Sequence, residues 1–388
     1  MHSVVLGRPI RVVVIPDSLK GTLSAKEAAT AIAEGLARAA ADRDCDLTIS
    51  ELPFADGGEG TLDAVLASWG TEALSCAATD AIGRPAVARF AVSPDGEIGF
   101  IEAAQANGLA AVSDLPLRPR EATTRGVGQI VRAALDRGVG EVLLAIGGSA
   151  TTDGGAGLLR ELGARFLDAE GHDIADGGGS LHDLETIDFS RLDERVRNVR
   201  WRVATDVTNP LTGTHGAAHV FGPQKGASPE DVEHLDLCLT RLADVVERSG
   251  GRPVGDLPGL GAAGGLALLL YSFFDAELVP GWEMVSQALN AAELVAEADL
   301  VVTGEGRFDT QSLDGKVIHG VRQLTPSGTP LVVIAGSVTV DNETMARSGV
   351  TAAFSLCRGP GLLEDIAPET AAHLEWASYQ VGRLLFLP

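Results

Sequence analysis

Five short segments of the chain combine glycine with acidic, basic or hydroxyl side chains, which are the groups that bind anions and metal ions. The first spans residues 16–21 and contains Asp17, Ser18 and Lys20. It follows an apolar run at residues 12–15, so it should lie where a strand gives way to a helix. Lys20 at such a place can hold a phosphate or a carboxylate group, although a solvated surface loop would have the same composition.

The second segment, residues 55–61, places two acids among three glycines. Glycine lets the backbone come close to a ligand, and carboxylates hold Mg²⁺ directly or through water. Asp56 is therefore a candidate metal ligand. A turn followed by a charged helix start explains the segment equally well.

The third segment, residues 146–157, is the richest in glycine. Consecutive N–H groups can converge on phosphate oxygens, and the N-terminus of a following helix adds a favourable dipole. The segment is neither a Walker A sequence nor a GxGxxG fingerprint. We favour a cradle for phosphate or substrate over a purely structural turn. Its candidate binding residues are Gly147, Gly148, Ser149, Thr152, Asp153, Gly154 and Gly155.

The fourth segment, residues 204–211, carries Asp206 and Asn209, and Lys225 follows within residues 221–226. A carboxylate at the end of a strand can accept the proton of a hydroxyl group or bind a metal. An Asx turn is the simpler explanation of Asp206. Lys225 can equally be structural.

The fifth segment, residues 303–312 with Gly315 and Lys316 shortly after it, is the richest in charge. It crowds two acids, an arginine, an amide and a lysine into one strand-to-helix connection: Glu305, Arg307, Asp309, Gln311 and Lys316. That composition is costly for a mere connection, but it suits the binding of anions together with a metal.

The elements that must position these segments are those of an α/β protein. Short β-branched runs alternate with helical periodicity, a pattern typical of a parallel sheet, and ligands bind beyond the carboxyl ends of such strands. Candidate strands lie at residues 12–15, 47–52, 142–146, 203–205, 300–303 and 332–335. Between about residues 80 and 292 the pattern changes, because residues 87–92 and 98–101 flank a Pro-Asp-Gly turn and predict an antiparallel hairpin. This change predicts a second subdomain.

Composition and charge exclude several classes of protein. The chain has 388 residues, 45% hydrophobic and 21% charged, which predicts a globular protein of two domains. Its formal net charge of -23 repels nucleic acid and anionic lipid, so neither is expected as a partner. Cys45, Cys76, Cys238 and Cys357 form no CxxC pair, so their spacing indicates neither a zinc site nor a redox motif. The apolar run at residues 262–274 is shorter than the roughly 20 residues that span a bilayer, and no signal-peptide pattern is present, so we expect a cytoplasmic protein.

Six motifs occur in order along the chain: DSLKGTLSA, FADGGEGT, GGSATTDGGAG, TDVTNPL, FGPQKGA and GEGRFDTQSLDGK. Together they resemble the motifs of the bacterial glycerate kinase family that includes the glyoxylate- and galactarate-pathway enzymes. The resemblance extends from about Arg11 to the last helix. Leu19 stands where the family often has Phe, which is a conservative apolar exchange.

The resemblance implies an ATP-dependent kinase for D-glycerate. It implies a flavodoxin-like α/β domain, residues 1–80 and 292–388, with a second α/β domain of mixed sheet, residues 81–291, inserted into it. Members of this type generally make 2-phosphoglycerate. The expected substrates are ATP and D-glycerate, and the expected metal cofactor is Mg²⁺. A homodimer is left open.

Phosphoryl transfer requires positioning and charge neutralisation, and the resemblance together with the residue chemistry suggests roles for the candidates. Lys20 and Arg307 would contact the reacting anions and Asp206 would be the base. Either Glu305 or Asp309 would hold Mg²⁺ or its water shell, with Asp56 as a further metal ligand. Residues expected to bind substrate or phosphate, besides the glycine-rich segment, are Asp17, Ser18, Asn209, Gln311 and Lys316.

Three rival functions are weighed against this one. A nucleotide-cofactor dehydrogenase is disfavoured because residues 17–21 lack the glycine fingerprint of the first βα turn. A non-catalytic, acid-sensing binding protein of the same fold is disfavoured by the acids that stand beside cations. A kinase that forms 3-phosphoglycerate remains the alternative within the same chemistry.

Overall fold

The computed structural model describes residues 8–19, 21–54, 60–255, 257–313, 317–359 and 366–386. The chain divides into two compact units, which we call the terminal unit (Met1–Asp56 with Val285–Pro388) and the central unit (Gly57–Met284). The predicted domain boundaries at residues 80 and 292 differ from these division points. The difference is larger at the first boundary, because the strand Leu74–Thr79 pairs with the hairpin of the central unit.

The strands are numbered in chain order: β1 (Ile10–Pro16), β2 (Leu47–Glu51), β3 (Leu74–Thr79), β4 (Pro85–Val92), β5 (Ile98–Glu102), β6 (Glu141–Ala145), β7 (Arg165–Leu167), β8 (Thr186–Asp188), β9 (Arg200–Ala204), β10 (Glu277–Val279), β11 (Leu300–Phe308), β12 (Leu331–Val338) and β13 (Ala352–Ser355). The α-helices in the described part of the chain are α1 (Ala25–Ala41), α2 (Thr61–Trp69), α3 (Ala104–Asn107), α4 (Leu109–Val112), α5 (Arg125–Leu135), α6 (Ala156–Glu161), α7 (Arg195–Asn198), α8 (Ala217–Phe221), α9 (Pro229–Arg248), α10 (Leu268–Phe274), α11 (Gly281–Ala288), α12 (Ala291–Ala296), α13 (Val317–Leu324), α14 (Asn342–Ser348) and α15 (Thr370–Leu385).

The sheet of the terminal unit is parallel, with strand order β13-β12-β11-β1-β2. Counted among these strands alone, the chain order across the sheet is 2-1-3-4-5, which is the flavodoxin-like order. The prediction that the C-terminal strands join the sheet of residues 12–15 is confirmed, since Val12 pairs with Leu300. The flavodoxin-like fold is thus assembled from the two ends of the chain.

Local sequence explains why the terminal unit forms. All residues of β1 except Arg11 are buried, as expected for a central parallel strand covered on both faces. Ser24 starts α1 with a capping box, in which its side chain accepts from the Glu27 N–H and Glu27 accepts from the Ser24 N–H. Gly35 lets α1 approach α15 closely, because a Cβ there would lie 2.2 Å from the Glu375 carbonyl oxygen.

The sheet of the central unit is mixed, with strand order β10-β9-β6-β5-β4-β3. The predicted hairpin is confirmed as the antiparallel pair of β4 and β5, while β5, β6, β9 and β10 run parallel. Large side chains such as Phe90, Phe166 and Trp201 fill the core of this unit. Because four strands are parallel, their carboxyl ends share one edge, which we call the central edge.

The long helix α9 covers this core with one face. Val232, Leu235, Leu239 and Leu242 are buried, whereas the opposite face is charged, as expected for an amphipathic surface helix. Throughout the described ranges, no helix combines the length and apolar character needed to cross a membrane.

Candidate functional site

Two carboxylates stand side by side at the carboxyl edge of the terminal sheet. The last paired residues of β1 and β11 are Pro16 and Gly304, and Asp17 and Glu305 follow them. Backbone pairing continues one step further, since the Asp17 N–H donates to the Gly304 carbonyl over 2.8 Å. The Asp17 and Glu305 side chains are nearly buried, at 9% and 7% exposure. The strand order reverses between β1 and β11, so this is the switch point at which α/β sheets bind ligands.

The loop after β1 is fixed by its own hydrogen bonds. Asp17 Oδ1 accepts from the Ser18 N–H over 2.6 Å and from the Ser18 hydroxyl over 3.3 Å. Leu19 is buried and anchors the loop to the core. Ser18 thereby helps to hold the Asp17 carboxylate in place. Lys20, predicted to contact the anions, lies outside the described residues.

The loop after β11 presents Arg307 to solvent. Its side chain is 67% exposed, and Nε lies 3.4 Å from Asp309 Oδ2. Asp309 Oδ1 accepts from the Gln311 N–H over 2.9 Å in an Asx turn, so both of its oxygens have partners within the loop. Gln311 is exposed. Lys316 lies outside the described residues, as does Asp56 of the second predicted segment.

The glycine-rich segment after β6 begins at the surface and then turns inward. Gly147 is half-buried and Gly148 is exposed, whereas every residue from Ser149 to Leu159 is buried. Asp153 is 1% exposed, and its carboxylate accepts from Thr124 N and Oγ1 over 2.8 and 2.9 Å. It also accepts from two N–H groups at the start of α6, and burial raises its pKa although these hydrogen bonds lower it. The carboxylate therefore faces the interior and fixes the start of the helix.

Gly154 and Gly155 also face packed protein. The Gly154 N–H donates to the Gly264 carbonyl over 3.0 Å, and a Cβ at Gly154 would lie 2.2 Å from Leu242 Cδ2. A Cβ at Gly155 would lie 2.4 Å from the Leu266 carbonyl oxygen. These two glycines thus permit packing within the central unit. Gly147 and Gly148 are the part of the segment that a ligand could reach.

Buried Lys225 contacts the glycine-rich segment from the interior of the central unit. Its Nζ donates to the Thr151 carbonyl over 2.6 Å and to the Ser149 hydroxyl over 3.3 Å, and the residue is 3% exposed. Burial lowers the pKa of Lys225 to about 7, although the nearby Asp153 opposes the shift. These contacts favour a structural role for Lys225. Thr152 is buried as well, and its Oγ1 has no hydrogen-bond partner within the described ranges.

Asp206 is the exposed carboxylate of the central edge. It follows β9, which pairs in parallel with β6 through Ala204 and Ala145, so Asp206 and Gly147 leave the sheet at the same edge. Its Oδ1 accepts from the N–H of Gly281, the first residue of α11, over 2.8 Å. One oxygen is therefore held in place.

Asn209 holds the backbone of the same loop. Its Nδ2 donates to the His215 carbonyl over 2.8 Å, and its own carbonyl accepts from the Gly261 N–H over 3.0 Å. Asn209 therefore shapes the connection that follows Asp206.

Residues 259–265, with four glycines in seven positions, are not among the predicted site residues. Gly264 has a φ of +69°, and a Cβ there would lie 2.1 Å from the Thr151 carbonyl oxygen. A Cβ at Gly261 would lie 2.3 Å from the Pro210 carbonyl oxygen. The segment therefore packs backbone against backbone with the loops after both β6 and β9. Its glycine density was the available sequence signal.

Glu102 is a second residue of the central edge that was not predicted. It ends β5, is 1% exposed, and its carboxylate accepts from the Leu62 N–H over 3.1 Å and from the Gly60 N–H over 3.3 Å. It thus fixes the start of α2, directly after the second predicted segment. A lone acid within an apolar strand gives little sequence signal of such a role.

The predicted residues that the structure describes thus lie on two sheet edges. Asp17 and Glu305 share the edge of the terminal sheet, with Arg307 exposed beyond it. The central edge brings together the segment at 147–149 and Asp206. The edge of the terminal sheet offers carboxylates and an exposed guanidinium, which can bind a divalent cation and anions. The central edge offers a carboxylate and exposed glycine backbone, which can bind a hydroxyl group and phosphate or carboxylate oxygens.

Comparison with known proteins gives the family of the chain. Residues 12–386 match the model of the glycerate kinase family. The chain is 40% identical to "Glycerate kinase" of Bacillus subtilis (strain 168), covering 97% of this chain and all of the relative, and 42% identical to "Glycerate 2-kinase" of Escherichia coli (strain K12), covering 92% and 93%. Its fold matches the crystal structure of the protein named glycerate kinase 2 from Salmonella typhimurium LT2, with a TM-score of 0.85, 42% identity and coverage of 97% and 98% of the two chains. The chain belongs to the glycerate kinase family.

Proposed function

We propose that the chain transfers the γ-phosphoryl group of ATP to the 2-hydroxyl of D-glycerate, giving 2-phospho-D-glycerate and ADP. The observation that carries the proposal is the 42% identity to glycerate 2-kinase of Escherichia coli over nearly the full length of both chains. The positions of the predicted residues support it, because Asp17, Glu305 and Asp206 follow parallel strands at the edges where such sheets bind ligands.

Asp206 is the residue proposed to act on the hydroxyl group. The hydroxyl of glycerate is a poor nucleophile at neutral pH, and a carboxylate can orient it and accept its proton as the bond to phosphorus forms. The hydrogen bond from the Gly281 N–H fixes Oδ1 of this exposed side chain. Asp206 is thus both accessible and oriented, as a general base must be.

Charge neutralisation is assigned to cations and backbone N–H groups. A protein with a net charge of -23 binds two anions only if local positive groups outweigh its overall repulsion. Exposed Arg307 supplies one such group, and Lys20 and Lys316 are proposed as the others. Gly147 and Gly148 offer accessible backbone for phosphate or glycerate oxygens.

A divalent cation is part of the proposal. The pair of nearly buried carboxylates, Asp17 and Glu305, supplies only oxygen donors, the kind that Mg²⁺ prefers. Glu305 and Asp309 are both proposed as metal ligands, and Asp309 also contacts Arg307 and the Gln311 N–H. When bound, Mg²⁺ would neutralise charge on the β- and γ-phosphates. Activity should therefore disappear in excess EDTA and return with added Mg²⁺.

The product decides between the proposal and its alternatives. Phosphorus NMR of the full-length protein with ATP, Mg²⁺ and D-glycerate should show ADP and 2-phosphoglycerate appearing together. A 3-phosphoglycerate signal would mean a kinase of the other regiochemistry. Unchanged ATP with demonstrable glycerate binding would mean a non-catalytic binding protein. We also propose that the protein is cytoplasmic. Whether it forms a homodimer is tested by sedimentation of the purified protein.

A further inference from the structure

Three side chains of the central unit that take no part in the proposed reaction converge on one point. His182 lies in the short 3₁₀ helix Gly178–Asp183, and His234 and Cys238 lie in α9. The nitrogen and sulfur atoms of these three residues lie within 4.8 Å of one another. Imidazole nitrogen and cysteine sulfur are the donors that bind Zn²⁺ and other borderline divalent metals.

The distance between two of the donor atoms fits a tetrahedral metal. Cys238 Sγ lies 3.6 Å from His234 Nε2. Tetrahedral Zn²⁺ with a Zn–S bond of about 2.3 Å and a Zn–N bond of about 2.0 Å places its sulfur and nitrogen ligands about 3.6 Å apart. His234 and Cys238 are four residues apart and therefore share one face of the helix, as two ligands of one metal require.

The carbonyl of Gly179 marks the point of convergence. Its oxygen lies 2.8 Å from His182 Nδ1, 2.9 Å from His234 Nε2 and 3.6 Å from Cys238 Sγ. A carbonyl oxygen has two lone pairs, so two ring N–H donors fill them and leave none for the Cys238 thiol. A metal beside this oxygen would instead use the lone pairs of the nitrogens and the sulfur, and the carbonyl could complete the set.

The surroundings hold the ligands in position. Asp183 Oδ1 lies 3.0 Å from His182 Nε2, the carboxylate–histidine arrangement that leaves the other ring nitrogen for a metal. The Gly179 N–H donates to the Arg120 carbonyl over 2.8 Å. The Arg120 guanidinium is paired with Asp231 and lies 3.5 Å from Glu230, so its charge is balanced.

A metal ion can reach these three residues from solvent, and its binding must displace the proton of the Cys238 thiol. The His182 side chain is 54% exposed, so a metal can enter from solvent, whereas Cys238 is buried. Burial raises the pKa of Cys238 to about 11, so the metal must displace the thiol proton, as thiolate binding generally does.

We propose that His182 Nδ1, His234 Nε2 and Cys238 Sγ bind a Zn²⁺ ion, with the Gly179 carbonyl or a water molecule as fourth ligand. The site is structural, because it ties residues 178–183 to α9. It also lies behind the glycine-rich segment, since a Cβ at Gly178 would lie 1.9 Å from the Thr152 carbonyl oxygen. The ion would therefore brace the support of that segment and is distinct from the cation proposed for phosphoryl transfer.

Cobalt substitution tests the proposal on the full-length, EDTA-treated protein without nucleotide. Titration with Co²⁺ should give one tetrahedral site per chain, with a thiolate-to-metal charge-transfer band in the near ultraviolet that Zn²⁺ abolishes. The band should disappear in Cys238→Ser and persist in the matched control Cys357→Ser, which removes an exposed thiol of the terminal unit. A band that persists in Cys238→Ser, or no thiolate band in the wild type, would overturn the proposal.

Surface variants keep the test decisive if Cys238→Ser does not fold. His182→Ala removes an exposed ligand, and Asp183→Asn removes its carboxylate partner, so each should weaken Zn²⁺ binding by about 10- to 100-fold or more. Zn²⁺ should raise the melting temperature of the wild type but not that of His182→Ala, and His172→Ala serves as the exposed-histidine control. Phosphorylation of glycerate with Mg²⁺ alone should be unchanged in His182→Ala. Equal Zn²⁺ affinity in the wild type and His182→Ala would contradict the assignment.

Discussion

The acidic residues of this protein divide into those that serve the fold and those left available for chemistry. Asp153 and Glu102 are each 1% exposed, and their carboxylates accept hydrogen bonds from backbone N–H groups at helix starts. Asp206 is exposed, and its Oδ1 accepts from the backbone N–H of Gly281. Exposure together with a fixed orientation is the reason for placing the reaction at Asp206.

Replacing Asp206 by asparagine tests its role as base. Asparagine keeps the size of the side chain but cannot accept the proton of the glycerate hydroxyl. We expect Asp206→Asn to lower kcat by a factor of about 10² to 10⁴, while the Michaelis constant for glycerate changes far less. Asp95→Asn, in the exposed turn of the β4–β5 hairpin, is the matched control and should leave both constants unchanged. If Asp206→Asn keeps a near-normal kcat at saturating Mg²⁺, the base must be sought at Glu305 or Asp309.

Lys225 should make stability depend on pH. The unfolded chain holds this proton up to a pKa near 10.5, whereas in the folded protein burial lowers the pKa of Lys225 to about 7. Between these values the unfolded state binds more protons, so the free energy of unfolding rises with pH by up to about 1.4 kcal/mol per pH unit. The penalty for burying this amine is fully present below about pH 7 and is relieved as pH rises toward the unfolded pKa.

The variant Lys225→Met isolates this effect, because methionine is also unbranched and carries no proton. Urea denaturation of both proteins should show the wild type gaining stability relative to Lys225→Met between about pH 7 and about pH 9. Contributions from other titrating groups cancel in the difference. A difference that stays constant over this range would mean that Lys225 remains charged when folded.

At the scale of elements, the loops that follow the strands of the central edge are held by close backbone contact. The loops after β6 and β9 pack on residues 259–265, where Gly264 adopts a left-handed φ of +69° and leaves no room for a Cβ beside the Thr151 carbonyl. Alanine at Gly264 would add steric overlap to backbone strain. Helix caps and hydrophobic packing cannot compensate, because the obstructing atom belongs to the backbone.

We therefore expect Gly264→Ala to lower the free energy of unfolding by about 3 kcal/mol, from about 1–2 for the left-handed conformation and about 1–3 for overpacking. Gly171→Ala is the matched control, since Gly171 has a φ of +83° but nothing within 4 Å of its Cβ position. That variant should lose only about 1–2 kcal/mol, the cost of the left-handed conformation. Equal losses in the two variants, measured by urea denaturation, would mean that strain alone accounts for the effect at Gly264.

Periodicity and glycine content in the sequence predicted where the helices and strands lie. They were less able to predict whether a given side chain faces the interior or the solvent. The strands at residues 12–15, 142–146, 300–303 and 332–335 were found from β-branched runs. The sequence could not show that Asp153 points inward, because that depends on Thr124 and on α6, which come together only in the fold. Similarly, cysteine spacing alone gave no sign of the cluster of His182, His234 and Cys238, since a 3₁₀ helix and α9 meet to form it.

At the scale of the whole molecule, the order of the chain and the order of folding units differ. The central strand β1 of the terminal sheet pairs on one side with β2 and on the other with β11, which comes almost 300 residues later. The two ends of the chain must meet before this sheet is complete. Sequence patterning predicted an insertion that starts at residue 81, whereas the compact central unit starts at Gly57. The strand β3 looks like any other short strand until its antiparallel partner β4 is known.

This arrangement predicts that the central unit folds without the terminal unit. Gly57–Met284 contains its complete mixed sheet and a core built from its own helices, so a fragment of these residues has everything that hydrophobic burial requires. In its described residues, a fragment of residues 1–56 contains β1, α1 and β2, and an isolated pair of strands with one helix buries too little apolar surface to be stable. Circular dichroism and urea denaturation should show a cooperative transition for residues 57–284 and no folded baseline for residues 1–56.

Adding residues 285–388 to the short fragment supplies β11, β12 and α15, and should restore structure to it, because the neighbours of β1 and α1 are then present. A central fragment that is unfolded on its own would show that its core depends on the terminal unit.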